Sequence, residues 1–198
     1  PPAPRPPPPQ WKVVIEKEEG GGIQHLSNVV WSFASLNHPH RELFDGVAAE
    51  YRRIAMVGNS QDLSNIVWAF VTVRHHAQQL FDAIASQHER ITSGKNIYLQ
   101  SLSMLAWAYA SANHITPKTR EMFDHIAQKH EIIAQQSSNM QVLSNICWAF
   151  ATIRHRSTVL FDAVAGVHAK IAQTGTAQDL ANILWAFALN NHPATELF

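Results

Sequence analysis

The segment QDLSNIVWAF (residues 61–70) decides the fold of this chain, because close copies of it recur along the sequence. The copies are QHLSNVVWSF (24–33), QSLSMLAWAY (100–109), QVLSNICWAF (141–150) and QDLANILWAF (178–187). Their tryptophans are 37, 39, 41 and 37 residues apart, which gives a period of about 38 residues. A period of this length is typical of arrays in which each unit is a pair of helices.

A second recurring block follows each tryptophan. It reads LFDGVA (43–48), LFDAIA (80–85), MFDHIA (122–127) and LFDAVA (160–165). The apolar residues of both blocks have helical spacing, as Leu63, Ile66 and Phe70 show in the first. The first helix is apolar nearly all round and should be buried on two sides, whereas the second keeps a polar face. These patterns predict an all-α fold, a right-handed α-solenoid of about five helix-turn-helix repeats of about 38 residues.

The repeats divide the chain into short units. We place them at residues 23–59, 60–97, 98–138, 139–176 and 177–198, with the last unit incomplete. Residues 1–22 form an N-terminal segment of a different kind. It holds seven prolines in PPAPRPPPPQ (1–10), which is typical of a polyproline-II-like linker, followed by a predicted short helix and three glycines.

The composition excludes several classes of function. Lys and Arg total 15 and so do Asp and Glu, so the formal net charge is zero, and any basic surface must be local. No apolar run approaches the ~18 residues that span a bilayer, so we expect no membrane partner. The sequence has no Gly-rich phosphate loop, HExxH, CxxC or nucleophile elbow, and its one cysteine, Cys147, lies in an apolar run. We therefore expect no enzyme, no cofactor and no small-molecule substrate.

Several polar positions are nearly the same in every repeat. Gln recurs seven residues before the tryptophan, and Asn recurs three before it except at Met104. For Asn we favour a structural ladder of amides that bond to the next repeat's backbone. For Gln, a structural role and ligand contact stay equally open. The aspartate of the second block occurs once per repeat, which also favours a structural role.

A histidine lies seven residues after each tryptophan. These residues are His38, His75, His114, His155 and His192. Neighbouring copies would be about one repeat apart, near ~10 Å, whereas zinc needs its ligands within about 2.0–2.3 Å. We therefore predict no metal site, and we expect each imidazole to cap the last carbonyls of its first helix.

Positions that differ between repeats are the candidates for recognising a ligand. Six residues after the tryptophan stand Asn37, Arg74, Asn113, Arg154 and Asn191. Six residues before it stand His25, Asp62, Ser101 and Asp179, with Val142 in the fourth repeat. Basic residues of the predicted second helix are candidates for phosphate contacts, chiefly Arg53, Arg90 and Lys170. The alternative, that these positions are only solvated, stays open.

The repeated helix resembles the octotricopeptide repeat, whose hallmark is similar to Q-D-L-A-N-x-L-W-A-x-A. QDLSNIVWAF (61–70) and QDLANILWAF (178–187) carry the resemblance, and PPPPQW (6–11) is similar to that family's proline-rich element. Ser101, Met104 and Val142 depart from the pattern. The LFDAIA block indicates a divergent branch whose members often end in a RAP domain.

The resemblance implies binding of single-stranded RNA in mitochondria or chloroplasts. It also implies a role in processing, stability or translation of organellar RNA, or in maturation of ribosomal RNA; no targeting segment is visible. From the residues alone, a protein-binding scaffold of the armadillo or HEAT type is the alternative, and the zero net charge favours it. A positive track along the concave face would favour RNA, and a neutral or acidic one would favour protein.

Overall fold

The computed structural model describes residues 22–93, 98–136 and 139–194. Over these ranges every regular element is a helix, so the all-α prediction is confirmed. No helix in the described part of the chain is both long and apolar enough to cross a membrane. The proline-rich stretch, most of the N-terminal segment and the last four residues lie outside the described residues.

The described helices fall into five groups that follow the sequence repeats. In chain order they are α1 (Gly22–Ser35), α2 (Arg41–Ala49), α3 (Tyr51–Val57), α4 (Ser60–Thr72), α5 (Gln78–Ala85), α6 (His88–Thr92), α7 (Leu99–Ser111), α8 (Pro117–Ala127), α9 (His130–Gln136), α10 (Met140–Thr152), α11 (Thr158–Ala165), α12 (His168–Thr174) and α13 (Ala177–Asn190). The first helices of the repeats are therefore α1, α4, α7, α10 and α13.

Each first helix packs against the first helix of the next repeat. The contacts run from α1 to α4, from α4 to α7, from α7 to α10 and from α10 to α13. The residue after the tryptophan is small, and Ala69, Ala108 and Ala149 are fully buried. A small side chain lets neighbouring helix axes approach to about 8–10 Å. The first helices thus form one continuous row of packed helices.

In each of the first four repeats, the segment that follows the first helix forms two short helices, so the prediction of one second helix per repeat was wrong. In the second repeat the Gln87 N–H donates to the Ile84 carbonyl three residues back, at 2.9 Å, and the ladder resumes at Ile91. Glu50, Lys129 and Val167 make the same three-residue bond in their repeats. The break ends the second helix and gives the third a new start. Each third helix then packs against the second helix of the next repeat, α3 on α5, α6 on α8 and α9 on α11.

The start of α4 is capped by two reciprocal hydrogen bonds, and α13 starts in the same way. The N-cap of α4 is Asn59, the residue immediately before the helix. Asn59 Oδ1 accepts a hydrogen bond from the Asp62 N–H at 2.9 Å, and Asp62 Oδ2 accepts one from the Asn59 N–H at 3.2 Å. This reciprocal capping box uses the Asp62 carboxylate within the helix.

Candidate functional site

Each first helix ends in the same left-handed turn. The N–H of His75 donates to the Phe70 carbonyl at 2.9 Å, and the N–H of Arg74 donates to the Val71 carbonyl at 3.0 Å. The other four repeats make the equivalent pair of bonds. These two bonds define a Schellman motif. The backbone of the histidine therefore caps the helix, and the prediction that the imidazole does so was wrong.

The imidazole instead contacts the preceding repeat. His75 Nε2 lies 3.0 Å from Asp45 Oδ1, the aspartate of the previous second block. The pairs His114–Asp82, His155–Asp124 and His192–Asp162 repeat this contact at 2.8, 2.9 and 3.0 Å. The recurring aspartates are thus structural, as the sequence suggested, and their partners are the recurring histidines.

Aromatic rings lie beside each of these histidine–aspartate pairs. Phe123 of the third repeat and Phe150 of the fourth lie 4.8 Å apart between ring centroids. The His155 ring lies 5.7 Å from the first and 5.4 Å from the second. The other three junctions have the same arrangement, except that Tyr109 replaces one phenylalanine between the second and third repeats. We call this set of two aromatic rings, histidine and aspartate at each junction the seam.

Tyr109 adds a hydrogen bond at its own seam. Its hydroxyl is buried and donates to the Phe81 carbonyl at 2.6 Å. Burial raises the pKa of Tyr109 well above its usual value, and the nearby Asp82 charge raises it further. The phenol therefore stays protonated and keeps donating throughout the neutral range.

The residues six after the tryptophan, which alternate between Asn and Arg, all have a left-handed backbone conformation. Asn37, Asn113 and Asn191 adopt positive φ angles of 50–51°, and Arg74 and Arg154 adopt 56° and 53°. Asparagine is enriched in this left-handed region, whereas it costs most other residues about 1–2 kcal/mol. All five side chains are exposed. Asparagine is thus explained by the turn alone, but the two arginines are held there against their preference.

Most candidates six residues before the tryptophan are turned inward. Asp62, Ser101 and Asp179 are only 6%, 4% and 8% exposed, whereas His25 is exposed. Asp62 Oδ1 accepts a hydrogen bond from Ser27 Oγ of the preceding repeat at 3.2 Å. These candidates therefore lie within or between repeats, away from a ligand.

Asp179 makes the same link at the last junction. Its Oδ1 accepts from Ser144 Oγ at 2.8 Å, and its Oδ2 accepts from Thr176 Oγ1 at 2.7 Å. Burial acts to raise the pKa of Asp179, but the hydrogen bonds from Thr176 and Ser144 outweigh it and hold the pKa below its usual value. The sequence analysis missed the serines, although one stands four residues before the tryptophan in each of the first four repeats.

The basic candidates, which lie on the third helices, already have partners within the chain. The Arg90 guanidinium donates to the Gly58 carbonyl at 2.8 Å and to the Ala55 carbonyl, at the end of α3 in the preceding repeat. Lys170 Nζ donates to the Gln135 carbonyl of α9 at 3.2 Å. Arg53 pairs with Glu50 at 2.9 Å. Cations at a helix C-terminus suit its dipole, which gives Arg90 and Lys170 a structural use.

A different set of residues faces solvent along the first helices. Gln61, Asn65 and Trp68 are spaced four and three residues apart, so they lie on one face of α4. The equivalent residues in the other repeats are Gln24, Asn28 and Trp31, then Gln100, Met104 and Trp107, then Gln141, Asn145 and Trp148, then Gln178, Asn182 and Trp185. We call this surface the amide–indole stripe.

The stripe is accessible and its amides are unengaged. All five glutamines are exposed and the asparagines are exposed or half-buried. Trp31 and Trp185 are 45% exposed, whereas Trp68, Trp107 and Trp148 are half-buried and pack against the core. Over the described ranges, no side-chain amide of the stripe makes a hydrogen bond, so the predicted ladder of asparagines to the next repeat's backbone was wrong. The Trp31 and Trp68 rings lie 6.1 Å apart, so the first two repeats present their indoles side by side.

The stripe carries almost no charge. The five first helices contain no Lys or Arg, and their acidic residues are Asp62 and Asp179, both buried. Arg74 and Arg154 stand just beyond the ends of α4 and α10 and supply positive charge at one edge. The face is therefore polar, aromatic and neutral, with two cationic points beside it.

A cleft opens beside Arg74, between the second and third repeats. Its volume is about 790 Å³, and its lining includes Arg74, His76, Gln78 and Trp107. This volume is within the range of small-molecule sites, and the lining offers a cation, an amide and an indole. A flat aromatic or heterocyclic group would find both stacking and hydrogen-bonding partners there.

Comparison with known proteins adds no family to these observations. No protein-family model matches the chain, and no curated protein sequence matches it. The features that this chain offers to a ligand are therefore the stripe, the cleft and the two arginines.

Proposed function

We propose that this chain is an RNA-binding helical-repeat module of the octotricopeptide kind, along whose amide–indole stripe single-stranded RNA lies. The setting that goes with this proposal is organellar RNA processing, stability, translation or ribosomal RNA maturation, in a mitochondrion or chloroplast. The module binds and positions RNA and performs no catalysis itself.

The proposed architecture is a right-handed α-solenoid. Its support is the order of contacts, in which each first helix meets the next first helix and each third helix meets the next second helix. Regular nearest-neighbour packing of this kind gives an extended binding surface with one repeat per step. The stripe then presents one glutamine and one tryptophan per step.

The observation that carries the proposal is the free amide beside an indole in nearly every repeat. A carboxamide offers two donors and an acceptor, which match the hydrogen-bonding edges of unpaired bases. An indole offers a face on which a base stacks, worth about 1–3 kcal/mol per base. One base per helical repeat is a known mode of recognition by solenoids.

The two strained arginines supply phosphate contacts at the edge of the stripe. Each phosphate neutralised on a single strand contributes about −0.7 to the slope of log K against log salt. One phosphate contact at Arg74 and one at Arg154 therefore predict a shallow slope of about −1.4. Stacking and amide contacts then supply most of the affinity. A site that depends on counterion release alone would be much steeper.

The test is a salt series of filter binding with a pool of short single-stranded RNAs of random sequence. In the variant Arg74→Asn plus Arg154→Asn, both sites acquire the residue that the other repeats already carry. We expect the salt slope to approach zero and low-salt affinity to fall. The melting temperature should hold or rise, since asparagine suits the left-handed turn better by up to about 1 kcal/mol per site.

The matched control replaces two exposed arginines on other surfaces, Arg52→Asn plus Arg120→Asn. It removes the same charge and should leave the slope near the wild-type value. Absence of RNA binding at low salt, or an unchanged slope in the Arg74 and Arg154 variant, would overturn the proposal.

A protein-binding scaffold is the second candidate, and the neutrality of the stripe favours it. The two candidate functions can be distinguished by loading the immobilised chain with cell extract and then treating it with ribonuclease. Retention that survives the nuclease, together with no binding of purified RNA, supports the scaffold. Direct, saturable binding of purified RNA supports the RNA module.

A further inference from the structure

A cluster of histidine and glutamate joins the second and third repeats on the side away from the stripe residues. His88 and Glu89 begin α6, and Glu121 and His125 lie on α8, which packs against it. The rings of His88 and His125 are 4.4 Å apart between centroids. One ligand atom each from His88, Glu89 and His125 lies within 4.8 Å of the others.

His88 differs from its counterparts in the later repeats. His130 and His168 also begin third helices, and each donates Nδ1–H to the carbonyl that ends its own second helix, at 3.1 Å. His88 does not make this bond. Its side chain is buried, its Nε2 lies 3.2 Å from Glu121 Oε2 in the next repeat, and its Nδ1 is buried without a partner. A buried nitrogen without a partner is costly, and its lone pair is available to a ligand.

His125 is equally particular to this junction. The same position in the other second blocks holds Gly46, Ala83 and Ala163, none of which can bind a metal. The histidines for which we predicted no metal site are those seven residues after each tryptophan. His88 and His125 are not among them, and they come from adjacent repeats that pack together.

We propose that His88 Nδ1, a His125 ring nitrogen and the Glu89 carboxylate bind a divalent first-row transition-metal ion, with zinc as the best match. Two imidazoles and a carboxylate form a donor set that zinc favours, with water at the remaining position. Bonds of about 2.0–2.2 Å require the three ligand atoms to draw closer together. His125 is half-exposed and Glu89 exposed, so both have room to rotate toward His88.

Glu121 completes the arrangement as a positioning residue. A carboxylate that accepts Nε2–H fixes the tautomer in which Nδ1 holds the free lone pair, which is the usual outer partner of a metal-bound histidine. Lys118 Nζ donates to the same carboxylate at 2.7 Å. His88 and Lys118 therefore both hydrogen-bond to Glu121 Oε2 and hold this carboxylate in place beside the proposed ligand.

The bound ion would cross-link the third helix of one repeat to the second helix of the next. Because ligands come from both repeats, binding would favour the packed junction and stabilise it with the logarithm of free metal. The junction involved is the one that contains the cleft beside Arg74. The site thus fixes the geometry of this junction and is independent of whether the stripe binds RNA.

The experiment titrates zinc chloride into the chelator-treated protein by calorimetry and follows the melting temperature. His125→Ala is the key variant, because alanine already occupies this position in two other repeats and should fold there. We expect the wild type to bind one more zinc ion than His125→Ala, with a rise in melting temperature that the variant lacks. Glu121→Gln should weaken zinc binding by about 10–100-fold while keeping the stoichiometry.

The control His76→Ala removes an exposed histidine elsewhere and should keep the full response. Magnesium chloride should have no effect, because imidazole ligands do not suit that ion. Equal zinc stoichiometry in the wild type and His125→Ala, or an equal response to magnesium, would overturn the proposal. Neither result would bear on the RNA measurements.

Discussion

The seam and the stripe recur with nearly equal regularity, yet their side chains are used in opposite ways. In the seam, His155 contacts Asp124, Phe123 and Phe150, and little of its surface is left to solvent. In the stripe, Gln141 is exposed and its amide bonds to nothing among the described residues. Recurrence alone therefore does not separate residues that hold repeats together from residues that are available to a ligand. The contacts do.

The largest effect should come from the aromatic core of the seam. Phe150→Ala removes a fully buried ring that contacts Phe123 and His155. We expect the free energy of unfolding to fall by about 3–5 kcal/mol, from lost burial and the cavity that remains. Urea denaturation followed by circular dichroism measures it. A loss below about 1 kcal/mol would mean that the seam does not hold the repeats together.

A smaller effect should come from the polar part of the seam. A double-mutant cycle with Asp124→Ala and His155→Ala should give a coupling energy of about 1 kcal/mol, since one hydrogen bond links the pair. The comparison cycle combines His155→Ala with Asp82→Ala, which belongs to another junction. That pair should be additive within about 0.3–0.5 kcal/mol. Coupling as large in the comparison cycle would show that the histidines act through the whole array.

Much of this fold follows from the sequence, because helical periodicity and the repeat period report burial directly. The break between second and third helices does not. The backbone N–H groups of Gln87 and Lys129 bond to the carbonyl three residues back without a nearby glycine or proline. The helical spacing of apolar residues continues across both positions. The pairing of histidine with the previous aspartate was also missed. Both residues recur once per repeat, and only the packing of neighbouring repeats brings them together.

The candidate site was harder to predict. Variation between repeats suggested Asp62 and Asp179 as recognition residues, but both are buried in helix caps. Sequence variation at a cap is tolerated because several side chains can satisfy the same N–H groups. Arg74 is a more useful exception, since its positive φ makes it a poor choice for the turn. The cluster at His88 and His125 gave no repeat signal, because it occurs at one junction only.

The stripe offers the most direct test of the central claim. That claim is that the stripe amides bind a ligand, whereas the seam residues stabilise the fold. The variant combines Gln61→Ala, Asn65→Ala, Gln141→Ala and Asn145→Ala, and both RNA affinity and urea denaturation are measured against the wild type. We expect unfolding free energy to change by no more than about 0.5 kcal/mol per site. RNA affinity should fall at least about tenfold, which is ~1.4 kcal/mol. Unchanged RNA affinity, or loss of the fold in this variant, would contradict the account.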